Sequence, residues 1–225
     1  MLIPDRVGVM ILGEATLFPQ AMLPLFIFEP RYRAMLSDSL ESHRLFCLAV
    51  QRVESARESP CRVATLGMVR ACVRTEAGTS NLVLQVIVRV RLGKIVQTLP
   101  YRKHLITPLP LTKVPDYLLK LQVKRILKLV GARLRQEQPV PLELIYQLAS
   151  GRSHEGVVTV ADCVRELGRM DNPGHFADLV ANLLLPGSLT RKLILQATDE
   201  EERLTHLEVF LREEVKRGDQ GSNAP

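Results

Sequence analysis

The sequence predicts an α+β protein, with an antiparallel β-barrel over residues 1–111, a helical bundle over residues 112–217 and a disordered tail over residues 218–225. Two changes of pattern predict it. Before residue 111, short runs rich in Val, Ile and Leu follow one another with only one helical interruption, as in antiparallel β folds. After it, apolar residues recur at three- and four-residue spacing, the period of amphipathic helices. Beyond Arg217 the chain turns to Gly, Asp, Gln, Ser, Asn and Pro, a composition with nothing to bury.

In the first half the strand-like runs are Val7–Leu12, Leu45–Val50, Val63–Val73, Leu82–Leu92 and Lys94–Leu99. Residues 76–81, Glu-Ala-Gly-Thr-Ser-Asn, read as a hairpin loop, with Gly78 free to take positive φ. Val86, Val88 and Val90 alternate with Ile87, Arg89 and Arg91. That period of two predicts one buried face and one increasingly polar face. Pro30 suits a first helical position, and Tyr32, Met35, Leu36 and Leu40 follow at helical spacing. The prolines at 100, 108 and 110 make residues 100–110 an extended connector rather than a central strand.

In the second half, Thr112 caps a helix running to about Gln138, with Leu119, Val123, Ile126, Val130 and Leu134 as its apolar stripe. Pro139 and Pro141 end it and open a second, Leu142–Ala149, closed by Gly151. Thr159 caps a third, through Met170. A fourth buries Phe176, Leu179, Val180, Leu183 and Leu184 and ends at Pro186 and Gly187. Ser188 caps a short segment to Ala197. The last helix starts at Asp199, with Glu202 three residues on as in a capping box, and Leu204, Leu207, Leu211 and Val215 as its seam.

Composition bounds the function. Hydrophobic residues make up 46% and charged residues 24%, which confines disorder to the ends of an otherwise globular chain. The net charge of +6 favours anionic partners but is modest for a dedicated nucleic-acid binder. Cys47, Cys61, Cys72 and Cys163 form no CxxC pair and stand beside no histidine cluster, so they read as small buried hydrophobes in a reduced cytosol rather than metal ligands. Asp5, Arg6, Glu14, Pro19 and Pro24 interrupt the apolar start, and no stretch is long enough to span a bilayer. A cytoplasmic location without membrane contact is the expectation. The sequence leaves the oligomeric state open.

Residues 17–33 read LFPQAMLPLFIFEPRYR, with Met35 beyond. This segment resembles the signature of the Lon N-terminal, substrate-binding domain family. Further motifs follow in the family's order: Thr65-Leu66-Gly67, Arg89 with Arg91, Pro100-Tyr101, Phe176 to Ala181, and Lys192 to Leu195 followed by Glu202-Arg203-Leu204. The resemblance covers residues 2–216. Gln20, Ala64 and Val86 stand where the family has Gly. The resemblance implies a PUA-like β-barrel followed by a helical bundle. It also implies a non-catalytic module that recognises polypeptide, either unfolded chains or a specific client, here without the ATPase and protease domains of the full enzyme.

The residues themselves agree with that absence of chemistry. A P-loop needs a Gly-Lys-Ser/Thr run to cradle phosphate. The one Gly-Lys pair, Gly93-Lys94, is followed by Ile95. The loop Gly151-Arg-Ser153-His154-Glu155-Gly156 has one residue too many for a nucleophile elbow. No second histidine follows His154-Glu155 at zinc spacing. The expectation is a protein that is not an enzyme and holds no cofactor and no metal.

Two features are candidates for binding. Phe18, Pro19, Pro24, Phe26, Phe28 and Tyr32 either pack the first strands and dock the helix after Pro30, or line an apolar groove for extended peptide. Glu29 and Arg31 then pair or cap nearby backbone. On the helix from Thr112, Lys113, Lys120, Lys124, Lys128 and Arg135 fall within an arc of roughly 80° opposite the apolar stripe. That stripe is either a solvated face or a contact for an acidic protein or nucleic acid. RNA binding by the barrel and this basic helix is the alternative function. Aromatic residues are only 4% and Trp is absent, which disfavours stacking on bases.

Overall fold

The computed structural model describes residues 2–13, 16–52, 58–109, 117–136 and 159–222. The fold is mixed α+β and divides into two compact units, Met1–Pro110 and Leu111–Pro225.

The first unit holds β1 (Arg6–Leu12), β2 (Met22–Ile27), α1 (Pro30–Glu41), β3 (Leu45–Val50), β4 (Val63–Arg74), β5 (Ser80–Gln97) and β6 (Lys103–Leu109). The strands form one sheet in the order β2-β5-β4-β3-β1-β6, and β6 pairs again with β5. The run from β5 through β4, β3, β1 and β6 therefore returns to its own start. Among the described residues, strand β2 hangs from β5 as the one strand with a single neighbour.

All pairings are antiparallel except one. Strands β1 and β3 run parallel, from Val9 opposite Cys47 to Leu12 opposite Val50. This corrects the wholly antiparallel expectation. A parallel pair needs a long crossover, and β2 and α1 supply it. Both strands are buried on both faces. Val7, Val9 and Ile11 of β1 join Leu45, Cys47 and Ala49 of β3 in one cluster. Met10, Phe46 and Leu48 join Tyr32, Met35 and Leu36 of α1 in another. Burial on two faces explains the unbroken apolar runs of β1 and β3.

Three further expectations change. The expected runs Leu82–Leu92 and Lys94–Leu99 merge into one strand, β5, which ends at Gln97. Its ladder with β6 shifts register between Leu92 and Ile95, so Gly93 marks a bend and not a break. Residues 103–109 form β6, which pairs with both β1 and β5. Pro108 is the only proline inside that strand, close to its end, so the ladder survives it. Arg89, expected on a polar face, is only 2% exposed. Its guanidinium lies 5.6 Å from the Phe18 ring centroid, an arrangement that compensates a buried cation.

The hairpin between β4 and β5 forms over residues 75–79, where Thr75 N–H donates to Thr79 O at 2.9 Å and Gly78 has φ 76°. Gln20 also takes positive φ, 73°, and its N–H donates to Val86 O. Glycine at that position in the family thus has a conformational reason.

The second unit holds α2 (Tyr117–Gln136), α3 (Val160–Leu167), α4 (Pro173–Leu184), α5 (Ser188–Gln196) and α6 (Glu200–Ser222). The expected Thr112 cap and the expected helix Leu142–Ala149 lie outside the described residues. Helix α2 packs against α6, α3 and α4, and α6 also against α4 and α5. Ile126, Val130 and Leu134 meet the seam of Leu204, Leu207 and Leu211 in full burial, while Val215 is half-buried. Thr159 and Asp162 form a reciprocal capping box on α3. Asn172 accepts from His175 N–H at 2.9 Å and starts α4 at Pro173. Ser188 is the first residue of α5 and does not cap it; Gly187 holds the cap position, and its carbonyl accepts from the Thr190 hydroxyl. The Asp199 carboxylate accepts from Glu201 and Glu202 N–H. Arg203 and Asp178 join α6 to α4 as a buried ion pair at 3.7 Å.

Helix α6 continues to Ser222, through residues assigned from sequence to a disordered tail. Its last turns are held by Gln136 of α2, which donates to Val215 O at 2.9 Å and Asp219 Oδ1 at 2.7 Å. No helix of the described residues is long and apolar enough to cross a membrane.

Two predictions follow from local strain and from burial. Replacing Gln20 by Gly relieves a left-handed backbone and raises stability by about 0.5–1 kcal/mol, read as a higher urea midpoint at constant slope. Burial holds the His104 imidazole below its ordinary 6.5, with Arg102 adding in the same direction. The unfolded chain then takes up a proton below 6.5 that the folded chain refuses, so stability falls as pH drops from 7 towards 5. His104→Gln flattens that slope in urea titrations across the same range.

Candidate functional site

The first candidate set divides by burial. Phe18 is 1% exposed and Tyr32 is 6% exposed, and Pro19 is half-buried. Tyr32 reaches across to β1, where its hydroxyl accepts the Ile11 N–H at 3.1 Å. Burial and this bond commit Phe18 and Tyr32 to packing and remove them from any peptide-facing surface. Glu29 pairs with Arg31 at 2.8 Å and makes no side-chain cap on α1. Arg31 also forks onto Glu58, whose carboxyl is held below its ordinary range by that bond.

Pro24, Phe26 and Phe28 are exposed. Phe26 and Phe28 are 55% and 59% exposed, and their rings stack with centroids 5.8 Å apart. Strand alternation explains the division. Along β2, Leu23, Leu25 and Ile27 turn inward and Met22, Pro24 and Phe26 turn outward. The outward set continues across the sheet. Phe26 lies opposite Asn81 of β5, which lies opposite Val73 of β4; Pro24 lies opposite Val83, which lies opposite Ala71. Val73 is 68% exposed. These residues border a shallow depression of about 420 Å³ with no charged residue in its lining. Val73, Val83 and Ala71 were missed from sequence. The signal for Val83 was an apolar residue at the parity opposite to the buried Leu82, Leu84 and Val86, whereas Ala71 and Val73 share the parity of the buried Val69 and face outward only after the register shift between Val69 and Ala71.

The free edge of β2 has its own chemistry. The Ala21 carbonyl accepts the Val86 N–H at 2.9 Å. Bonding residues alternate along an antiparallel strand. Leu23, Leu25 and Ile27 therefore bond to β5, and Met22, Pro24 and Phe26 aim their backbone groups outward. Pro24 has no N–H, so the edge lacks its central donor.

In the second candidate set, Lys120, Lys124, Lys128 and Arg135 are exposed on α2. Lys113 lies outside the described residues. So do Ser153, His154 and the rest of the loop from Gly151. All four cysteines are free, and full burial pushes the Cys47 thiol far above its ordinary range. Among the described residues no group of His, Cys, Asp and Glu is placed to hold a metal.

Comparison with known proteins places the chain. The family model described as the ATP-dependent protease La (LON) substrate-binding domain matches residues 6–213. Lon protease 1 of Herpetosiphon aurantiacus is 24% identical over 235 residues, covering 95% of this chain and 29% of that protein. Lon protease of Desulfosudis oleivorans is 22% identical, covering 90% of this chain and 23% of that protein. The chain thus spans less than a third of the length of these curated relatives. The fold resembles the N-terminal domain of Mycobacterium avium complex Lon protease, with a TM-score of 0.67 at 16% identity, covering 92% of this chain and 98% of that one. It also resembles a Lon N-terminal domain protein from Xanthomonas campestris, with a TM-score of 0.56 at 16% identity, covering 91% and 98%.

The division by burial is measurable. Phe18→Ala costs about 3–5 kcal/mol of unfolding free energy, whereas Phe26→Ala costs less than about 1 kcal/mol, both read from denaturant titrations.

Proposed function

This chain belongs to the family of the ATP-dependent protease La (LON) substrate-binding domain, and from that premise we propose that it is a non-catalytic module that binds polypeptide on the outer face of β2, β5 and β4. The observation that carries this reading is the open apolar face around Pro24, Phe26, Val73 and Val83, with Phe28 stacked beside it. Such a face suits the apolar side chains that folded proteins hide and unfolded ones expose. The closing pairing of β5 with β6 supports reading the first unit as a PUA-like barrel, and the mutual packing of α2, α4 and α6 supports a helical bundle in the second. We assign the protein to the cytoplasm and give it neither cofactor nor metal.

The face holds side chains rather than a backbone ladder, so sequence preference is broad. The occupants are non-native chains with clustered aliphatic and aromatic residues, or one client with such a segment. RNA binding at the same depression is disfavoured because its lining holds no charged residue.

The test is retention of a reduced, unfolded model protein by immobilised full chain. The parent retains it, and Phe26→Ser with Val73→Ser weakens retention about tenfold while circular dichroism is unchanged. Equal retention by that double variant, or no retention by the parent, removes the assignment. A complex with single-stranded RNA at low salt that the same variant leaves intact favours the nucleic-acid reading instead.

A further inference from the structure

Helix α2 contains no acidic residue in its 20 positions. Lys120, Lys124 and Lys128 stand on successive turns, about 6 Å apart along the axis. Like charges at that spacing oppose the helix, and a cation in its first turn opposes the macrodipole. Several other cations in this unit are matched: Arg125 with Glu208, Arg165 with Asp162, Arg169 with Glu166, Arg212 with Glu208, Arg217 with Glu214. The three lysines have no ion-pair partner among the described residues. Their arrangement costs helix stability and is compensated by nothing described in the chain.

A cleft of about 560 Å³ lies beside Lys120 and Lys124, and Lys128 stands one turn further along the helix. Lys120 and Lys124 stand on one wall, with Val123 and Leu127 of α2 and Met170 and Pro173, which lie beyond the end of α3, as its apolar part. We infer that this cleft docks an acidic amphipathic segment of another protein, its carboxylates on Lys120, Lys124 and Lys128 and its apolar side chains against Val123, Leu127 and Met170. The apolar lining selects against a free anion, which has nothing to place there. Nucleic acid is disfavoured because the lining has no aromatic ring for a base. The cleft belongs to the second unit and the apolar sheet face to the first, so each fails or stands alone.

Fluorescence anisotropy of the full chain tests it, with a labelled helical peptide carrying Glu on every turn of one face and Leu on the other. The parent binds, and binding weakens with added salt. A Gln-for-Glu peptide does not bind. Lys120→Gln with Lys124→Gln weakens binding about tenfold, Met170→Gln weakens it as well, and Phe26→Ser leaves it unchanged. Lys120, Lys124 and Phe26 are exposed and Met170 is partly exposed, and circular dichroism checks that the variants fold. The inference is overturned by equal affinity of the double lysine variant, by no binding to the parent, or by an oligonucleotide of matched charge binding more tightly with no response to Met170→Gln.

Discussion

Two strands buried on both faces organise the first unit. Strands β1 and β3 lie side by side and parallel, and each sends alternate side chains into two separate apolar clusters. A strand in that position needs cover above and below. One cluster is enclosed by the ladder that runs from β5 round to β6. The other is covered by α1 and by the inward residues of β2. Tyr32 fixes that second cover, because its hydroxyl bonds the Ile11 backbone near the end of β1. The aromatic and prolyl segment over residues 17–33 is therefore a lid on a core first. Its outward parity is what remains after Leu23, Leu25 and Ile27 have been committed inward.

The surface follows from this commitment. A β-strand cannot bury one set of side chains without presenting the other. On β2 the presented set is apolar, and β5 and β4 extend it with Val83, Ala71 and Val73. The second unit has a different surface chemistry, with a helix that lines up Lys120, Lys124 and Lys128 on one exposed strip. The protein thus carries two chemically distinct faces in two units, one without charge and one with charge alongside apolar lining.

Legibility in the sequence tracked the range of the interactions. The runs at β1, β3 and β4 were readable because continuous or alternating Val, Ile and Leu are local signals. The capping box of Thr159 and Asp162 was readable because both partners lie within one turn. Strand β6 was hidden by prolines that mostly flank it. The burial of Arg89 was hidden because Phe18, its cover, is distant in sequence. The last turns of α6 were hidden because Gln136 of another helix holds them. At the candidate site, the segment was legible as a unit but the parity within it was not. Phe18 and Tyr32 share composition with Phe26 and Phe28 and differ only in the direction the backbone gives them.

Pro24 has a consequence for how such a surface survives its own stickiness. A module that binds extended chains, as proposed, risks becoming the first rung of a cross-β stack, because an exposed strand is a template for the next. One missing hydrogen-bond donor in the middle of β2 interrupts the repeat that a growing fibril requires. On the proposed reading, chains rest on the face and leave again without being copied at the rim.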